Sequence, residues 1–106
     1  MNKESVTLTG SSGSTYRFAV YPWSTNFNPV GAVYAILRKE FSSSNYTILY
    51  IGQTGDLSDR FNGHHKQHCF DKHRKTHIGV HVERSESRRL AIESDLLCYY
   101  KTACNF

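Results

Sequence analysis

The sequence is poor in the features that mark secreted, membrane-spanning and disulfide-stabilised proteins. It has three cysteines among 106 residues, Cys69, Cys98 and Cys104, and neither their odd number nor their spacing is typical of a disulfide framework. The longest apolar run covers residues 30–37, far below the ~18 residues of a membrane span. The polar first residues lack the apolar segment of a signal peptide. We therefore expect reduced thiols, a cytoplasmic location and no membrane partner.

Acidic residues are also scarce, and the excess of positive charge is confined to one stretch. The chain has 13 Lys and Arg against 9 Asp and Glu, which gives a net charge of +4. Residues 60–81 contain five basic residues and one acidic residue, so this stretch accounts for the whole excess. All six histidines lie in it as well: His64, His65, His68, His73, His77 and His81. Such a concentration favours a polyanionic partner over a merely solvated surface.

The length and the hydrophobic pattern predict one α+β domain. With 39% hydrophobic residues, 106 residues can bury one core but not two. Alternating apolar residues predict an N-terminal hairpin, and two β-rich runs at 30–40 and 45–54 predict a second one. A helix from Asp56, a strand at 77–83 and a helix opened by Ser85 follow. This order predicts a small central antiparallel or mixed sheet flanked by helices, with residues 1–29 as an N-terminal hairpin and loop extension.

Glu93 is a carboxylate placed among apolar positions of the last predicted helix. Leu90, Leu97 and Tyr100 lie at helical spacing from it, and Leu96 belongs to the same predicted stripe. A carboxylate on a buried helix face is costly unless it is ion-paired, hydrogen-bonded or bound to a cation. Glu93 is therefore a candidate metal ligand, with a buried salt bridge to an arginine as the alternative.

Four other residues are of the kind that phosphate chemistry uses. Tyr34 and Tyr50 lie on the predicted strands, and Gly52 leaves space beside Tyr50 where a ligand can approach the backbone. Arg60 and His64 are four residues apart, so they share a face of the predicted helix. A guanidinium can hold two phosphate oxygens, and an imidazole can relay a proton near neutral pH. Core tyrosines and an exposed Arg/His pair are the ordinary structural alternative.

The histidines allow a different interpretation. Residues of metal-ligand type recur at intervals of four in two sets, His64 with His68, and Cys69 with His73, His77 and His81. Imidazoles and thiolates are zinc ligands. The spacing forms one ligand face only on a continuous helix, and Gly79 in a strand-like pattern argues against such a helix.

The order of the candidate residues resembles the GIY-YIG nuclease family. Ala-Val-Tyr and Tyr-Ile-Gly stand where the family has its two tripeptides, and the set reads Tyr34, Tyr50, Arg60, His64, Glu93 and Asn105. The second tyrosine precedes the arginine by 10 positions, the histidine follows by 4, and the asparagine follows the glutamate by 12. These spacings look like those of family members. The resemblance covers residues 30–106, although the first tripeptide lacks its glycine and the hairpin between the two is longer than usual.

The resemblance implies a DNA endonuclease that uses one divalent ion, Mg²⁺ or Mn²⁺, held by Glu93. In this family pattern Tyr34 takes a proton from the attacking water with help from His64, or alternatively His73. Tyr50 orients water or phosphate, and Arg60 neutralises phosphate charge. Asn105 supports the site. Expected DNA contacts are Gly52, Gln53, Lys66, Lys72, His73, Arg74 and Lys75.

The sequence does not decide what would confer DNA specificity or whether the chain is an active nuclease. We expect specificity, where present, to come from the N-terminal hairpin, a homodimer or a partner protein. The alternatives to an active nuclease are a catalytically inactive nucleic-acid-binding module of the same fold and a zinc-binding, histidine-rich interaction domain.

Overall fold

A five-stranded antiparallel sheet forms the centre of the fold in the computed structural model, which describes residues 4–41, 45–59 and 66–105. The strands are β1 (Ser5–Thr9), β2 (Thr15–Pro22), β3 (Ala32–Lys39), β4 (Tyr46–Thr54) and β5 (His77–Val82). Their order in the sheet is β1-β2-β5-β3-β4, and every neighbouring pair is antiparallel. The described helices are α1 (Gln67–Lys72) and α2 (Glu86–Leu97), with a 3₁₀ turn at Leu57–Asp59. The predicted α+β class is confirmed, with the antiparallel form of the sheet.

Both predicted hairpins are confirmed. β1 pairs with β2 and β3 pairs with β4, and Gly13 takes a positive φ of 92° in the first turn, a conformation that glycine adopts without steric cost. β5 lies between β2 and β3, so the N-terminal hairpin extends the same sheet.

The N-terminal hairpin is also held against α2. The Asp95 carboxylate accepts hydrogen bonds from the Ser12 amide and the Tyr16 hydroxyl, both at 2.8 Å. The Thr9 amide donates to the Tyr100 hydroxyl at 3.0 Å. Gly10 allows this approach, because a Cβ there would lie 1.9 Å from an Asp95 oxygen. The hairpin therefore packs as part of the sheet and α2.

The prediction for the last helix is right about its start and partly wrong about its buried face. Ser85 caps α2, and its hydroxyl accepts from the Arg88 amide at 3.4 Å. Leu90, predicted to be buried, is 47% exposed, whereas Ile92 and Leu96 are buried. At 100° per residue Leu90 lies almost opposite Ile92, so both cannot face the sheet.

The helix expected from Asp56 begins as a 3₁₀ turn. The Asp56 carboxylate accepts from the Ser58 amide at 3.0 Å, as an N-terminal cap does. The predicted continuation through Phe61 and His64 lies outside the described residues, and α1 begins at Gln67.

Two apolar clusters cover the two faces of the sheet. Side chains alternate along β3, so Val33 and Ala35 pack with Ile92 and Leu96 of α2. Tyr34 points to the other face, in a cluster with Ile36, Leu57, Ile78 and with Phe70 of α1. The sheet thus separates α2 from α1. Within the described ranges, neither helix has the length and apolar character needed to cross a bilayer.

Candidate active site

Tyr34 and Tyr50 lie side by side on the α1 face of the sheet, above Gly52. Tyr34 is opposite Gly52 in the register between β3 and β4, and the two tyrosine rings are 6.1 Å apart at their centroids. A Cβ on Gly52 would lie 2.7 Å from Cε2 of Tyr50 and 2.9 Å from the Tyr34 hydroxyl. The glycine is therefore needed because both rings rest on its backbone. The expectation of open space for a ligand beside Gly52 is wrong, because the two tyrosine rings fill that space and Gly52 is buried.

The two tyrosines differ in their access to solvent. Tyr34 is 3% exposed, whereas Tyr50 is only partly buried and lines a surface cavity. Burial, and next the negative charge of Glu93, raise the pKa of Tyr50, while a hydrogen bond from Tyr34 acts in the opposite direction. Because its pKa is raised from the ordinary value of a phenol, Tyr50 keeps its proton at neutral pH.

Glu93 lies on α2, which packs on the face of the sheet opposite to Tyr34. Its charge nevertheless contributes to the raised pKa of Tyr50, which lies on the edge strand β4. Glu93 is half-buried, and burial raises the pKa of its carboxyl. Among the described residues it has no hydrogen-bond or ion-pair partner, so the predicted alternative of a buried salt bridge finds no support in that part of the chain.

Asn105 holds the free edge of β4 beside Tyr50. Its Oδ1 accepts from the Ile51 amide at 2.7 Å, and its Nδ2 donates to the Ile51 carbonyl at 2.9 Å. The neighbouring Cys104 amide donates to the Leu49 carbonyl at 2.8 Å. The C-terminal segment thus continues the hydrogen bonding of the sheet, and Asn105 is in position to fix the backbone that carries Tyr50.

A surface cavity of about 430 Å³ lies at this edge of the sheet. It is lined by Tyr50, Lys66, Leu97, Tyr100, Lys101, Thr102 and Asn105. Three of the predicted residues, Tyr50, Lys66 and Asn105, therefore meet at one opening. Lys101 was missed by sequence reasoning, although its position four residues before Asn105 could have indicated it.

Arg60 and His64, the other two predicted catalytic residues, lie outside the described residues, which resume at Lys66. Their roles remain predictions from the sequence.

The basic residues predicted to contact DNA fall into two places. Lys66 lines the cavity beside Tyr50, whereas Lys72, His73 and Arg74 line a second cavity of about 480 Å³ with Arg38 and Lys39 of β3. Sequence reasoning missed the last two because they belong to a strand outside the basic stretch.

Two of the predicted DNA contacts are engaged within the protein. Lys75 is ion-paired with Asp71 at 2.5 Å and lies over the Trp23 ring, 4.8 Å from its centroid. The Gln53 side-chain oxygen accepts from Nε of Arg89 at 2.9 Å. Arg89 is buried and was not singled out by the sequence analysis.

The expectation of three reduced thiols is wrong for two of them. Cys69 of α1 and Cys104 of the C-terminal segment form a disulfide, and Cys98 is free and exposed. The pair is separated by 35 positions in the sequence, and only the fold brings its Cα atoms to 5.9 Å. Spacing alone could not indicate this pair.

The residues of metal-ligand type that recur at intervals of four do not form one face in the described part of the chain. α1 ends at Lys72, and His77 and His81 lie on β5, as Gly79 indicated. Nδ1 of His81 is 2.9 Å from the Arg17 carbonyl, and Nδ1 of His77 is 2.8 Å from the Thr76 hydroxyl. His73 instead lies near Cys69 and Cys104.

No protein-family model, no curated protein and no solved structure matches the chain.

Proposed function

We propose that this protein is a DNA endonuclease of the GIY-YIG type, which hydrolyses phosphodiester bonds with the help of one divalent ion, Mg²⁺ or Mn²⁺. The proposal rests on the resemblance of its ordered residues to that family. The single observation of the fold that best supports it is that Tyr34 and Tyr50 meet over Gly52 while the charge of Glu93 reaches Tyr50. These residues come from two strands and a helix, and 59 positions separate the first from the last.

Glu93 has the properties of a ligand for a hard divalent cation. It offers carboxylate oxygens, it is half-buried, and it has no cationic partner among the described residues. A cation would offset the cost of its charge in that environment. When bound, such an ion supplies positive charge that stabilises the phosphate oxygens during displacement.

The exposure of the two tyrosines supports a division of roles that differs from the sequence prediction. Tyr34 is almost fully buried, so we assign it to positioning Tyr50 through their hydrogen bond. Tyr50 lines the cavity and is protonated at neutral pH, so it donates a hydrogen bond to the attacking water or a phosphate oxygen. The water proton is then accepted by His64, because an imidazole is a better base at neutral pH than a phenol. Arg60 keeps its proposed role in neutralising phosphate charge.

The basic residues around the two cavities supply the contacts to the DNA backbone. Lys66 and Lys101 flank Tyr50, and Lys72 and Arg74 form the second group. Such contacts position the phosphates without reading sequence, and they make affinity depend on salt. A cytoplasmic location is part of this proposal.

The experiment that tests this function compares Glu93→Gln with Glu86→Gln. Both substitutions remove one carboxylate charge from α2, but Glu86 is exposed in the first turn of the helix, whereas Glu93 is half-buried and its charge acts on Tyr50. Nicking of supercoiled plasmid in Mg²⁺ and binding of a labelled duplex are measured for each. We expect Glu93→Gln to lose cleavage and keep DNA binding, and Glu86→Gln to keep both. Cleavage that survives in Glu93→Gln would refute the proposed site, and binding without cleavage by the wild type would favour an inactive binding module.

A further inference from the structure

Cys69, His73 and Cys104 form a cluster of metal-ligand side chains, and its two cysteines pack on the same face of the sheet as the tyrosine pair. Their potential ligand atoms, two sulfurs and an imidazole nitrogen, all lie within 4.8 Å of one another. Around a tetrahedral zinc ion such atoms are about 3.5–3.8 Å apart, as follows from Zn–S and Zn–N distances of roughly 2.3 and 2.0 Å. Once the disulfide between the two sulfurs is reduced, the sulfurs must move apart to about 3.8 Å and the imidazole nitrogen must lie about 3.5 Å from each of them, changes that side-chain rotations can supply.

The backbone fixes all three residues. His73 caps α1 one turn after Cys69, and its amide donates to the Cys69 carbonyl at 3.1 Å. Its own carbonyl accepts from Nη1 of Arg38 at 3.2 Å. Cys104 is buried and is tied to β4 through the Leu49 carbonyl. Cys69 and His73 are four residues apart on one helical turn, a spacing that puts two zinc ligands on one face, and Cys104 adds a third from a distant segment.

The ligand chemistry selects zinc over the hard ion proposed for Glu93. Thiolate and imidazole are soft and borderline ligands, which favour Zn²⁺ over Mg²⁺. Two thiolates neutralise the charge of the ion, so the complex adds no net charge beside Lys72 and Arg74. A bare divalent cation at this position would be repelled by these neighbours.

We propose that reduction of the Cys69–Cys104 disulfide creates a zinc site, in which both thiolates and the His73 imidazole bind one Zn²⁺ and water takes the fourth position. A small-molecule dithiol supplies the two electrons and two protons that convert the disulfide to two thiols, and is itself oxidised to a disulfide. Zinc binding then displaces the two thiol protons. The metal replaces the covalent link between α1 and the C-terminal segment, so Asn105 keeps its place on β4 in reducing surroundings.

The test measures zinc content of untagged protein after reduction, incubation with zinc and removal of unbound metal. We expect about one zinc per reduced wild-type chain. The oxidised wild type, which has the same sequence but no free thiol in the cluster, is expected to retain none. Cobalt substitution then reports the ligands, because thiolate ligation gives a charge-transfer absorption band and a tetrahedral site gives intense visible bands.

Matched variants separate this cluster from the other cysteine and histidines. We expect Cys69→Ser and His73→Ala to lose zinc or bind it at least tenfold more weakly, and Cys98→Ser and His68→Ala to bind it as the wild type does. A reduced wild type without zinc would overturn the proposal. So would equal zinc retention by the reduced and oxidised forms, or by Cys69→Ser, since the other histidines would then account for binding.

Discussion

Arg74 occupies a backbone position that glycine would fill with less strain, and this makes its replacement informative. It follows the C-cap of α1 with φ of 61°, in the left-handed region. The Arg74 amide donates to the Asp71 carbonyl and the Lys75 amide donates to the Phe70 carbonyl, both at 3.1 Å, which is the Schellman pattern that ends many helices at a glycine. The exposed Arg74 side chain lines the second cavity, of about 480 Å³, with Lys72.

Arg74→Gly is therefore expected to make the protein more stable and a weaker DNA binder. A residue with a side chain in the left-handed conformation destabilises the fold by about 1–2 kcal/mol, and glycine removes this strain. Glycine in turn destabilises the fold by about 0.5–1 kcal/mol, because it loses more backbone entropy on folding. The expected gain in the free energy of unfolding is thus about 0.5–1 kcal/mol. Loss of one phosphate contact is expected to make the slope of log affinity against log salt shallower by about 0.9.

The assay combines urea unfolding with duplex binding over a series of salt concentrations. Arg74→Ala is the matched control, because it removes the charge but keeps the strain: binding falls as in Arg74→Gly, and stability does not rise. Arg84→Ala removes an exposed arginine that lies outside the second cavity, and it leaves the salt slope unchanged. An unchanged slope in both Arg74 variants would refute the assignment of this cavity to DNA binding.

Three further predictions address the residues around Tyr50. Because burial raises the pKa of Glu93, its charged form lowers the stability of the folded protein. Glu93→Gln should therefore be more stable than the wild type at pH 7, and the difference should disappear below about pH 4. Equal unfolding curves at every pH would contradict this. Asn105→Ala removes both hydrogen bonds to Ile51 and should lower stability by about 1–3 kcal/mol and slow cleavage, whereas the exposed Asn26→Ala should do neither. Gly52→Ala should lower the free energy of unfolding by about 1–3 kcal/mol and reduce cleavage, because its Cβ would meet both tyrosine rings. Gly55→Ala should be tolerated, since its Cβ would make an ordinary contact, and similar losses in both variants would refute the packing argument.

The local elements of the fold could be predicted from the sequence because local patterns determine them. Alternation predicted the hairpins, and Ser85 predicted the start of α2. The buried face of α2 was less predictable, since Leu90 and Ile92 are both apolar and only the position of the sheet decides between them.

Features that depend on distant contacts could not be predicted. The disulfide between Cys69 and Cys104 and the bonds of Asn105 to Ile51 join segments 35 and 54 positions apart. Tyr34 is more deeply buried than Tyr50 because of where α1 and the edge of the sheet lie. The alternation of side chains along a strand could not predict this difference, since it predicts the same kind of position for both tyrosines.

The most direct measurement of the central claim is cleavage of a panel of DNAs by the wild-type protein, with the ends of the products mapped. Supercoiled, linear, nicked and branched DNA are incubated in Mg²⁺, in Mn²⁺ and in excess chelator. We expect cleavage of at least one form in either metal, with 5′-phosphate and 3′-hydroxyl ends, and none in chelator. Intact DNA in every form and both metals would contradict the account, as would cleavage that the chelator leaves unchanged.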